Sequence, residues 1–223
     1  MTTYYDCRNP ILPPDIHIPD VEAHVMPDGR LYVYGSWDQF DETYCSRQYR
    51  VFSTANMLDW TDHGVSFDAD AVPWMNDPYA PRYPHGEGLV LTPRMEAVRD
   101  RRAVLAGAEA ASQGRADEAR PSLPMLYAPD CIHRDGRYYL YFCGSDQSEG
   151  VAVADHPWGP FGNPVRIPVG GIDPAVLVDD GGPGRRARAY YLWGGGFLAD
   201  GKPLEDHERR PLQARLCGGL ERG

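Results

Sequence analysis

Three aspartates, Asp20, Asp130 and Asp173, each stand at the head of the same short pattern. The carboxylate is followed by a short apolar run, an Asp-Gly pair, an aromatic run and a glycine. The first copy runs from Asp20 through Asp28-Gly29 and Leu31 to Tyr34, ending at Gly35. The second runs from Asp130 through Asp135-Gly136 and Tyr138 to Phe142, ending at Gly144. The third runs from Asp173 through Asp180-Gly181 and, after a small insertion, Ala189 to Trp193 and Gly194. Carboxyl groups gathered in one place divide labour: an ionised one takes a proton from water, while another, kept protonated by burial or like charge, gives one away. A single aspartate of this kind is most simply a turn cap. Three at matching repeat positions point to a shared site.

The elements that must position them follow from the same repeat. Asp-Gly is the pair that a tight hairpin wants, because glycine supplies positive φ without strain. The aromatic runs after it have the composition of strands packed on both faces. Outer strands follow the first copy at Tyr49 to Thr54 and Asp59 to Gly64, and the second at Gly150 to Ala154 and Pro157 to Phe161. A recurring four-stranded unit predicts an all-β propeller, whose innermost strands line a channel and bring their ends to one mouth. Asp20, Asp130 and Asp173 are therefore expected to converge there.

Asp130 and Asp173 are separated by one blade length, roughly 40 residues, whereas Asp20 and Asp130 are more than twice as far apart. The surplus falls largely in residues 92–122, rich in Ala, Arg and Glu and free of aromatic residues. That composition favours helix, so a helical insertion is expected between the first and second blades, on the surface.

Composition bounds the rest. A chain of 223 residues holds one ordinary core. A net charge of −10 excludes nucleic acid as a partner, since phosphate binding needs a basic face. With 24 Gly and 21 Pro, turns are abundant and a helical bundle is excluded. The 5 cysteines include no CxxC pair and read as free thiols. No signal-like segment or membrane span is visible, which makes a cytoplasmic protein the default expectation. The histidines show no zinc spacing, Asp68, Asp70 and Asp77 read as a solvated loop rather than a calcium loop, and no serine sits in a nucleophile elbow. Neither a metal nor a cofactor is expected. His24, four positions past Asp20, reads either as a channel-facing group that bonds a sugar hydroxyl or as a buried structural histidine. Among the tryptophans, Trp37 and Trp74, in loops, are assigned to sugar stacking, and Trp158 and Trp193 to the core.

Several stretches then resemble glycoside hydrolase family 43, the five-bladed β-propeller enzymes acting on β-xylosides and α-L-arabinofuranosides. They are Asn9-Pro10, Asp20 to His24 with Tyr32 to Asp38, Leu58 to Gly64, Tyr127 to Asp130 with Gly136 to Phe142, and Gly171 to Val176 with Asp179 to Gly181 and Tyr191 to Gly195. By this resemblance Asp20 is the general base and Asp173 the carboxylate that tunes and orients the general acid. Asp130 takes a substrate-binding or site-shaping role. The implied substrate is a plant-type oligosaccharide or an aryl glycoside. Val21 replaces a proline that the family often has.

The resemblance also implies a glutamate as general acid, heading a fourth blade. One blade length past Asp173 the chain reads Leu216 to Gly223, where Glu221 is followed by no strand or Asp-Gly turn. The sequence thus reads as an incomplete propeller of about three blades. Two functions fit: an inverting glycosidase lacking its acid, or a non-catalytic carbohydrate-binding propeller. The 223-residue chain is accordingly expected to give no turnover of aryl β-xylosides or α-L-arabinofuranosides in a chromogenic assay. Sustained turnover would overturn the missing-acid reading.

Overall fold

The computed structural model describes residues 11–39, 45–76, 125–145, 148–179, 188–198 and 212–213. The segment expected to form the helical insertion lies outside them, as does the Asp180-Gly181 pair. The described residues form an all-β arrangement of two antiparallel sheets. The first sheet has the order β1 (Glu22–Val25), β2 (Leu31–Ser36), β3 (Gln48–Thr54) and β4 (Trp60–Asp68). The second contains β5 (Asp130–Arg134), β6 (Arg137–Cys143), β7 (Ser148–Ala154), β8 (Gly162–Asp179), β9 (Arg188–Leu198) and β10 (Leu212–Gln213), each hydrogen-bonded to the next.

The two described Asp-Gly pairs turn the chain in different ways. Asp135 and Gly136 have φ of 50° and 77° between the paired residues Arg134 and Arg137, the geometry of a two-residue hairpin. At the first pair only Gly29 is left-handed, and Met26 and Arg30 are joined by a backbone bond of 2.9 Å around a three-residue loop. The outer strand expected over Pro157 to Phe161 instead begins at Gly162. Two prolines without amide donors and Gly159 at φ 86° make that stretch a turn.

Strand β8 serves two neighbours. Its Gly162 to Gly170 part pairs with β7, while Val169 to Asp179 pairs with β9, with register shifts between Gly170 and Ile172 and between Ile172 and Ala175. The first strands of the successive units, β1, β5 and the later part of β8, lie side by side. The sheets meet across a core that includes Tyr32, Tyr34, Tyr49, Phe67, Leu140, Phe142 and Phe161. Phe67 and Phe142 touch across it with ring centroids 4.9 Å apart, and the buried Tyr34 hydroxyl donates to the Pro157 carbonyl at 2.6 Å. The cysteines Cys45, Cys131 and Cys143 are free and buried, as their spacing suggested. Asp68 and Asp70 are tied down rather than free in solvent: Asp68 caps a 3-10 turn over Ala69–Ala71, and Arg47 pairs with both, while Asp77 lies outside the described residues.

Gly150 is fixed by this core, because a Cβ there would meet Phe142 Cζ at 2.5 Å and Trp74 Cζ2 at 2.9 Å. Gly162, on the neighbouring strand, has nothing within 4 Å of the same position. Gly150→Ala is expected to destabilise the fold by about 1–3 kcal/mol through overpacking. Gly162→Ala should be neutral or slightly stabilising, and urea unfolding midpoints of the two variants check the contrast.

Candidate active site

Asp20 precedes β1, and Asp173 sits in β8 where its register shifts; both are exposed and both are left-handed, with φ of 52° and 55°. Non-glycine residues rarely adopt that conformation, and aspartate tolerates it better than most. The glycine closing each repeat explains how these segments lie so tightly on the neighbouring strand. A Cβ on Gly35 of β2 would stand 2.8 Å from Val21 Cγ1 and 3.1 Å from the Pro19 carbonyl. A Cβ on Gly194 of β9 would stand 3.3 Å from the Ile172 carbonyl and 3.9 Å from Asp173 Oδ2.

The two carboxylates share one electrostatic neighbourhood. Burial and then the negative charge of Asp20 hold the Asp173 carboxyl above the usual carboxylate range. The buried Cys45 thiol is pushed up to about 12, first by burial; a bond to Ser36 opposes this, and Asp38, Asp20 and Asp173 add to it. Two acids that feel each other's charge at an exposed position are the raw material for dividing a base role from an acid-tuning role.

Asp130 is placed differently. It is 2% exposed, lies within the first strand of its unit, and is absent from the left-handed residues. Its Oδ1 is 2.7 Å from His24 Nε2, and its Oδ2 accepts the Val176 amide at 2.6 Å. It therefore ties β1, β5 and β8 together through residues that follow Asp20 by four positions and Asp173 by three. The sequence holds a sign of this, since Asp130 stands nearer its Asp-Gly pair than the other two do to theirs. His24 is raised from its usual value by the bond to Asp130, against burial, with the charges of Asp130 and Glu22 adding. Glu22, His24 and Asp130 bring ligand atoms within 4.8 Å of one another, a set able to hold a cation, although both Asp130 oxygens are already engaged.

The neighbours of each tryptophan fix its placement. Trp37 belongs to a small cluster with Ile18, Val33 and Phe52, and the Arg50 guanidinium covers its ring at 4.5 Å. Trp74 stacks on Phe142 with centroids 6.1 Å apart, and its indole N–H donates to Ser148 at 2.8 Å. Both rings thus commit a face to the protein, which loop position alone does not reveal. Trp158, assigned to the core, is 38% exposed and sandwiched between the imidazoles of His63 and His156. Trp193 packs against a core cluster as expected and stacks on Tyr191, with its Cδ1 2.8 Å from where a Gly171 Cβ would stand.

One residue has no place in the sequence pattern. Glu149 on β7 is fully buried, and its Oε2 accepts a short hydrogen bond from the Tyr191 hydroxyl. Burial pushes its carboxyl up to about 7; the Tyr191 bond works against this, and the charge of Asp173 adds to it. An acid next to a run of alternating small apolar residues is the available signal. The apolar run alone puts the start of this strand at Gly150, whereas pairing begins at Ser148 and takes Glu149 into the sheet.

Known proteins match this arrangement. The family described as "Glycosyl hydrolases family 43" matches residues 99–203. The "Xylosidase/arabinosidase 43A" of Humicola insolens is 32% identical over 201 residues, covering 81% of this chain and 46% of that protein. A β-xylosidase/α-arabinofuranosidase from a compost microbial metagenome, solved with xylotriose in a calcium-free form, is 29% identical with a TM-score of 0.54, covering 85% of this chain and 46% of that one. The GH43_1 enzyme of Xanthomonas citri, complexed with xylotriose, is 26% identical with a TM-score of 0.54, covering 89% and 48%. The chain thus spans about half the length of the relatives it matches. Repeat, fold and sequence likeness agree, and the chain belongs to glycoside hydrolase family 43.

Proposed function

We propose that this chain forms about three blades of a five-bladed propeller whose whole is an inverting glycosidase acting on β-xylosides or α-L-arabinofuranosides. Strands β1–β4 form one blade, β5–β7 with the first part of β8 a second, and the later part of β8 with β9 and β10 the start of a third. The observation that carries the reading is the pairing of Asp20 and Asp173, two left-handed aspartates, one just before the first strand of its blade and one within it, close enough for one to raise the other.

In this reading Asp20 is the general base. It takes a proton from water as the water oxygen attacks the anomeric carbon. The bond to the leaving oxygen breaks on the opposite face, a carboxylic acid protonates that oxygen, and the configuration inverts. Asp173 is the neighbouring negative charge that keeps the acid's proton in place until it is needed. Asp130 shapes the site by holding His24 and the Val176 amide, leaving His24 the polar group on this wall able to meet a sugar hydroxyl. No glutamate heads a fourth repeat within the 223 residues, so turnover needs the further length that the relatives have.

Two measurements test the proposal. Calorimetric titration of xylotriose into the 223-residue chain should detect binding without turnover, and Asp20→Asn should weaken it roughly 10-fold through loss of a charged hydrogen bond. When the chain is completed by the C-terminal half of a xylosidase/arabinosidase relative, Asp20→Asn should lower kcat about 10²–10⁴-fold with little change in KM. Full activity in that variant would remove Asp20 from the base role. Binding without activity even in the completed wild-type protein would favour a carbohydrate-binding propeller.

A further inference from the structure

Glu149 is the carboxylate among the described buried side chains that leaves a polar atom unpaired, alongside Arg47, Trp60 and Trp193, each with one buried N–H. The Glu149 side chain is 0% exposed, yet Oε1 has no hydrogen-bond partner among the described residues. Leaving a polar atom unpaired in an apolar interior costs far more for a charged carboxylate than for a neutral acid, and an apolar residue of the same size would avoid the cost altogether. A residue that violates local consistency in this way marks a site where function outweighs stability.

The position of Glu149 indicates which function. Oε1 faces the α-carbon of Gly171, two residues before Asp173; a Cβ there would stand 3.1 Å from it, and only 2.4 Å from the Gly194 carbonyl. Oε2 is held by Tyr191 on β9. Glu149 thus lies beneath the bend that carries Asp173, clamped between β8 and β9. Among the described residues, the ionisable groups facing it are the Cys143 thiol from β6, the Tyr191 phenol from β9 and Asp173 from β8. Burial pushes the thiol and the phenol far above neutrality, so both are uncharged there. The charge that reaches Glu149 is that of Asp173.

We propose that Glu149 is a positioning residue for Asp173, an uncharged carboxylic acid beneath the Gly171–Asp173 bend that keeps its proton while Asp173 carries the negative charge of the site. This rests on the reading of Asp173 as the tuning carboxylate. It adds an order of ionisation: Asp173 first, Glu149 only near neutrality, when a second negative charge arises under the site. For an acid whose folded value lies above its unfolded one, the folded state holds the extra proton, so stability falls as pH rises from the ordinary carboxylate value to about 7.

Carboxyl ¹³C NMR titration of the 223-residue chain tests this without reference to any sugar. The Glu149 resonance should titrate near neutrality, apart from the exposed carboxylates, and Asp173→Asn should move its midpoint down. Glu149→Gln should leave the Asp173 midpoint raised, because burial and Asp20 set it, and should abolish the part of the stability loss that falls between the ordinary carboxylate value and neutrality. Titration of Glu149 together with the exposed carboxylates, or a midpoint indifferent to Asp173→Asn, would overturn the proposal. If Glu149→Gln does not fold, the Asp173→Asn titration still decides, since Asp173 is exposed. Absence of xylotriose binding with the coupling intact would count against the glycosidase reading alone; binding with no coupling would count against Glu149 alone.

Discussion

The arrangement depends on the bend in β8. A strand that closes one unit along Gly162 to Gly170 and opens the next along Ile172 to Asp179 must change direction in between, and regular pairing forbids this without a break in register. Gly171 makes the break possible: backbone and ring atoms of β9 come so close to it that no side chain fits there. Asp173 leaves the bend in a left-handed conformation, which sets its carboxylate apart from the strand on either side. The catalytic geometry proposed for this chain therefore originates in a backbone constraint rather than in the acids themselves.

A second constraint is the cross-tie at Asp130. A carboxylate with 3% of its side chain exposed is tolerated in a protein interior only when its oxygens are satisfied, and here His24 and the Val176 amide satisfy both. That one residue links the first strands of three units. It ties the strand that follows Asp20 to the part of β8 that follows Asp173. The apolar side chains Val25, Ile172 and Leu177 on these strands are exposed.

Local chemistry is legible in the sequence wherever it alone decides the outcome. The Asp-Gly pairs, the aromatic strands and the closing glycines all encode backbone geometry within a few residues, so Asp20 and Asp173 stand out as equivalent positions from the repeat alone. Contacts between distant segments are less accessible. Whether Trp74 meets a sugar or Phe142 depends on a residue far away in the chain, and the stack of His63, Trp158 and His156 depends on two sheets meeting. Asp130 looks equivalent to the other two because residue type recurs more visibly than strand register. Glu149 is hidden for a similar reason: burial of a charged residue is a tertiary fact, and no local pattern announces it.

The left-handed backbone at Asp20 and Asp173 also governs which amino acids those two positions can accept without distortion. Asparagine shares aspartate's tolerance of that region, whereas alanine and especially β-branched residues meet a steric clash of about 1–2 kcal/mol. Alanine scanning there conflates loss of charge with backbone relaxation, while the amide isostere isolates the charge. The same asymmetry narrows the routes by which these sites can drift: asparagine or glycine preserves the scaffold, and most other replacements disturb the bend before they alter the chemistry.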